Sequence, residues 1–126
     1  MTFEIENEIQ EKGLTAPRVT LADIEANIVH EGYISGDDGD WVPGPGWSEE
    51  TNDAGGSELT LTICVLILRN GFTVTGESAC ASPENFDAEI GRKIARQNAV
   101  SKIWPLLGYE LRSKLAAGAN IEETHL

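Results

Sequence analysis

The sequence predicts a small α+β protein: an antiparallel β-hairpin-based sheet packed on one long C-terminal helix, with an N-terminal helix and a long acidic Gly/Pro loop. Three observations carry this. Two β-rich runs, ELTLTICVLILR and FTVTGESAC, are separated by Asn70-Gly71, a strong hairpin signal because both residues of such a turn take positive φ. Residues 83–104 repeat apolar side chains at helical spacing up to Pro105. Ahead of them, VTLADIEANIVHEG combines a capping residue with a second helical pattern.

With 126 residues, the chain suits one core rather than two. Residues 1–19 read as an arm or short helix, 20–117 as a single α+β domain, and 118–126 as a flexible tail. In the arm, Phe3, Ile5 and Ile9 give a weak helical signal that ends at Gly13. A helix is expected at about 21–31, with Thr20 as N-cap, Asp23 in a capping-box position, Leu21, Ile24 and Ile28 on one face, and Gly32 as its stop. Residues 36–57 are rich in Gly, Pro and acids and read as a long loop, with Trp41 and Trp47 expected to pack on their own domain.

A two-residue turn in the hairpin puts Leu61 opposite Cys80 and Cys64 opposite Glu77. The core-like face is then Leu61, Ile63, Val65 and Ile67 with Phe72, Val74, Gly76, Ser78 and Cys80, and the other face is mixed. The same register puts the two cysteines on opposite faces, so two free thiols are expected. Ser82 then caps the long helix, with Pro83 at its first position and Glu84 in its first turn. Phe86, Ile90, Ile94, Val100, Ile103 and Trp104 share one side of this helix. Ala88, Gly91, Ala95 and Ala99 form a smooth face suited to close approach by a sheet or another helix. The two faces together suggest a homo-oligomer. After Pro105, GYELRSKLA alternates like a half-buried strand, which is preferred to a helix on Leu107, Leu111 and Leu115.

Nine basic residues face 21 acidic ones, a net charge of -12, which disfavours a large nucleic-acid footprint. No apolar run is long enough to span a bilayer, and the acidic N-terminus does not resemble a signal peptide, so the cytoplasm is the expected location. Two cysteines cannot form a structural zinc site, the acids of the loop miss the calcium-loop pattern, and no phosphate-cradling or dinucleotide motif is present. No nucleophile has a plausible base, because the histidines are His30 and His125 only. The expectation is a non-enzymatic protein without cofactor or metal.

The basic cluster offers a different chemistry. Arg92, Lys93, Arg96 and Lys102 lie within eleven residues on the helix that follows a hydroxyl-rich junction. A helix N-terminus with such neighbours can receive phosphate or another anion. The residues assigned to ligand binding are Ser78, Cys80, Asn85, Lys93 and Arg96.

The stretch NGFTVTGESACASPENFDAEIGRKIARQNAVSKIWPLLGYEL resembles the core of the phage gene product 49 / gene 66 family of small tailed-phage proteins, the likeness covering residues 59–115 or so. That resemblance implies a phage or prophage gene expressed in a bacterial host cytoplasm and brings no activity with it. Related phage architectures join such a module to a helical hairpin associated with sequestering nucleotide immune signals, and no clear hairpin of that kind follows residue 117 here. The leading expectation is an accessory protein that acts by binding, sequestering a phosphorylated or nucleotide-type host signal or blocking a host factor. The alternatives are a nucleic-acid binder, from a distant likeness to double-stranded-RNA modules, and a DNA mimic built on the acidic loop and arm.

Overall fold

The computed structural model describes residues 3–35 and 60–124, so the acidic loop with Trp41 and Trp47 lies outside the described residues. The elements run α1 (Phe3–Glu11), α2 (Leu21–Asn27), β1 (Ile28–Ser35), β2 (Leu61–Leu68), β3 (Thr73–Ala79), a 3-10 turn at Pro83–Asn85, and a final helix Ala88–Thr124, here α3. The strands form one antiparallel sheet in the order β1-β2-β3. The α+β class is therefore as the sequence predicts, with one strand more than the hairpin.

α1 ends as its glycine requires. Gly13 has φ 67, its N–H bonds to the Gln10 carbonyl, and the Leu14 N–H reaches back to Ile9, which is the Schellman arrangement that satisfies the last carbonyls of a helix. α1 is tied to the rest of the chain by the Arg18 guanidinium, which donates to both carboxylate oxygens of Glu6 at 2.9 and 2.7 Å. α2 begins with the full reciprocal capping box of Thr20 and Asp23.

The helix expected to reach residue 31 stops at Asn27, and Ile28–Ser35 is strand β1. Leu21, Ile24 and Ile28 do follow helical spacing. However, Ile28 and Val29 are β-branched, and β1 gains a ladder along β2, which runs from Ile28 opposite Leu68 to Ser35 opposite Thr62.

The hairpin is present, but its turn holds three residues instead of two. Leu68 pairs with Phe72 through the Leu68 N–H to Phe72 carbonyl bond (2.8 Å), the Gly71 N–H returns to the Leu68 carbonyl (2.8 Å), and Gly71 takes φ 89. This is a turn closed by a single left-handed glycine. The extra residue slips β3 by one position, placing Leu61 opposite Ala79 and Cys64 opposite Gly76. A one-residue slip exchanges the faces of a strand. The covered face of β2 is consequently Thr62, Cys64, Leu66 and Leu68, and the face expected as core, Leu61, Ile63, Val65 and Ile67, is half-buried. Both thiols are free, for a different reason from the one expected: Cys80 bonds beside Thr60, four residues along the strand from Cys64, about 13 Å away and too far for a disulfide.

The long helix begins later than expected. Pro83 starts the 3-10 turn, and the α3 N-terminus is capped by Asp87, whose carboxylate accepts the Ile90 N–H at 3.0 Å. It also runs further: residues 109–115, expected as a strand, are helical, Pro105 lies inside α3, and the helix continues to Thr124. Two-residue alternation over so short a run coexists with Leu107, Leu111 and Leu115 at helical spacing, and the helical pattern prevails.

α3 lies across β2 and β3. The core comprises Ile24, Cys64, Leu66, Leu68, Val74, Ala95, Ala99 and Ile103. Gly76 makes the closest approach: a Cβ there would sit 2.2 Å from the Ala95 carbonyl oxygen and 2.2 Å from the Ala99 nitrogen. The smooth Ala/Gly face of α3 is therefore spent on its own sheet. With 37 residues, α3 is about 55 Å long, roughly twice the length of an eight-residue strand. Beyond Ile103, no described residue of α3 is fully buried. No helix among the described residues is long and apolar enough to cross a membrane.

Candidate binding groove between α2 and α3

The ligand-binding residues expected from the sequence fall into two groups. Ser78, Cys80 and Asn85 belong to the junction between β3 and α3. Ser78 is half-buried opposite Thr62, the Cys80 thiol donates to the Ser82 carbonyl at 3.0 Å, and the Asn85 N–H donates to the same carbonyl at 3.0 Å. Thr60 donates its hydroxyl to the Cys80 carbonyl. These groups stitch the junction together, and the adjoining helix N-terminus carries the Asp87 carboxylate as its cap. That negative charge occupies the place an anion would take.

Lys93 and Arg96, by contrast, line one cavity of about 540 Å³ together with Leu21, Glu25, Gln97, Val100, Ser101 and Trp104. α2 forms one wall and α3 the other. Its apolar side consists of Leu21, Val100 and Trp104, the last two half-buried. Its polar side is organised by Arg96, which donates to both carboxylate oxygens of Glu25 at 3.1 and 2.8 Å and, through Nε, to Glu31 at 3.3 Å. One guanidinium thus joins α2, β1 and α3. Its hydrogen bonds hold the Glu25 carboxyl below the usual carboxylate range, while Glu25 pushes Arg96 upward. Beside Glu31, the Tyr33 hydroxyl donates to it at 2.8 Å; burial first, and this neighbour second, raise Tyr33 to about 12. Burial also raises the Cys64 thiol, which pairs across the sheet with Tyr33.

The groove is not a positive site. Lys93 sits 3.4 Å from Glu89, and both are well exposed. Glu25, Glu31 and Glu89 together outnumber Arg96 and Lys93 by one charge. Among the basic cluster, Arg92 and Lys102 are exposed and take no part in the cavity. Sequence reasoning identified Lys93 and Arg96 but missed Glu25 and Glu31, which lie 71 and 65 residues away from Arg96 along the chain. No local spacing links them. Among the described residues, no group of three or more His, Cys, Asp or Glu side chains is placed to hold a metal.

A second hollow of about 470 Å³ lies between the hairpin turn and α3, lined by Asn27, Arg69, Phe72, Leu106, Leu107 and Glu110 among others. Its polar groups serve the fold. The Arg69 guanidinium donates to the Ala26 carbonyl at 2.8 Å and the Arg69 N–H to the Asn27 side chain at 3.2 Å, fastening the turn to the end of α2.

No curated protein matches this chain significantly, and no solved structure does. A family model does match, over residues 19–115, which takes in α2, the three strands and most of α3. On that match, the chain belongs to the phage protein (N4 Gp49/phage Sf6 gene 66) family.

Proposed function

We propose that this phage-family protein acts by binding rather than by catalysis, and that it uses the α2–α3 groove to hold a segment of a host protein, blocking a host factor in the bacterial cytoplasm. The observation that supports this reading is the groove's composition: an apolar wall of Leu21, Val100 and Trp104 facing an arginine already satisfied by two carboxylates. Tryptophan and arginine are among the side chains most enriched at protein-binding hot spots, and Trp104 and Arg96 line this one groove. Counter-defence is the role such a module would have in a phage. The test is affinity capture from infected cells with the wild-type chain and Trp104→Ala side by side. A host protein retained by the wild type and lost by the variant is expected; identical captures by both would refute the groove as the site.

A second reading, sequestration of a phosphorylated or nucleotide-type signal, draws on Lys93 and Arg96 lining one cavity. The surplus carboxylate around them weighs against it. Isothermal titration with cyclic dinucleotides and ADP-ribose derivatives tests it: binding lost in Lys93→Ala plus Arg96→Ala would favour it over the protein-segment reading. Nucleic-acid binding and DNA mimicry rank behind both.

A further inference from the structure

The hollow between the hairpin turn and α3 keeps hydrogen-bonding capacity beyond the bonds that fasten the turn. It holds about 470 Å³, within the range of small-molecule sites, and it shares no lining residue with the α2–α3 groove. One side is apolar: Phe72 and Leu106 are 54% and 38% exposed, and Leu107 is half-buried.

The polar side offers donors. The Asn27 side-chain oxygen accepts the Arg69 N–H at 3.2 Å, and the Asn70 side-chain oxygen accepts the Phe72 N–H at 2.9 Å. Only the oxygen of an amide can accept from a backbone N–H, so these two bonds fix both side chains and leave each with its NH2 group to be satisfied. The Arg69 guanidinium spends one N–H on the Ala26 carbonyl and pairs with no carboxylate among the described residues. The carboxylate of the lining, Glu110, is taken by Lys114 at 3.2 Å. On a chain of net charge -12, the hollow thus carries one uncompensated positive charge, Arg69, beside an apolar wall.

We infer that this hollow binds a small organic monocarboxylate with an aromatic or branched aliphatic body. The planar guanidinium of Arg69 takes the carboxylate, the Asn27 and Asn70 amides supply further donors, and Phe72, Leu106 and Leu107 cover the apolar part. One net positive charge matches a singly charged acid better than a dianionic phosphate. The bonds that fasten the turn also hold these donors in place beforehand, so little ordering cost falls on binding.

The test is an NMR titration of the isotope-labelled full chain with hydrocinnamate and, separately, with its neutral amide, which keeps the body and removes the charge. Saturable shifts are expected at the Arg69 side-chain N–H, the Asn27 and Asn70 amide groups and Phe72. The dissociation constant should be on the order of millimolar for so small a probe, and the amide should bind about tenfold more weakly. Arg69→Gln keeps a donor for the Ala26 carbonyl, and Leu106→Glu sets a like charge on the exposed wall; each should weaken the acid by about tenfold. The second variant keeps the test decisive if the first loosens the turn. No saturable shift at these residues, equal binding of acid and amide, or unchanged binding in Leu106→Glu would overturn the inference. A peptide ending in a free Phe carboxylate that binds about tenfold tighter than hydrocinnamate would overturn it too, by making a chain terminus the ligand.

Discussion

Gly76 on β3 lies directly against Ala99 on α3, so close that a Cβ on Gly76 would fall 2.2 Å from the Ala99 nitrogen and 2.8 Å from its Cα. The obstructing atoms are backbone and cannot swing aside. Gly76→Ala must therefore lift α3 away from the sheet along its buried face, where Ala95, Ala99 and Ile103 have no exposed surface. A loss of about 3 kcal/mol or more is expected, at or above the upper end of overpacking penalties. Urea unfolding monitored by circular dichroism measures it.

Thr62 offers the opposite case. Its side chain is 1% exposed, and its hydroxyl has no hydrogen-bond partner among the described residues. Thr62→Val keeps the branched shape and removes an unsatisfied polar atom, so stability should rise by about 1 kcal/mol. A higher midpoint in the same urea titration is the expected result.

The Arg96 junction makes stability depend on pH. Because the Glu25 carboxyl is depressed by Arg96, its contribution is fully present above the unfolded-state value, about 4.3, and is lost as pH falls through the lower folded-state value. Arg96→Ala should cost about 1 kcal/mol at neutral pH, since both carboxylates are partly exposed. The variant should also lose this part of the acid dependence, so the wild-type and variant stability curves should converge on acidification.

The two thiols should separate cleanly. Cys64 is fully buried and its thiol is raised by that burial, whereas Cys80 is half-exposed at the sheet edge. A disulfide reagent should therefore titrate one thiol per chain in the native protein and the second only after unfolding. Cys80→Ser should abolish the native reaction.

The family signature, the capping box at Thr20 and the Gly13 stop were legible in the sequence because each rests on local residue chemistry, whereas the two free thiols were expected from a hairpin register that the structure corrects. The hairpin was legible too, but its register was not: Asn70-Gly71 is compatible with loops of two or three residues, and the choice inverts every side chain of β3 relative to β2. Strand β1 stayed hidden because Leu21, Ile24 and Ile28 extend a helical pattern into residues that the neighbouring strand recruits. In the groove, Lys93 and Arg96 were legible as a basic cluster on one helix. The acids that pair with Arg96 come from α2 and β1, so only the tertiary fold shows which carboxylates it meets.

The proposed protein-binding role rests on the groove, and amide hydrogen exchange on the captured complex tests it most directly. Leu21–Glu25 and Gln97–Trp104 should gain protection when the host protein is bound, with the uncovered face of the sheet unchanged. Protection confined to the sheet, or to the junction around Ser78 and Cys80, would contradict the account.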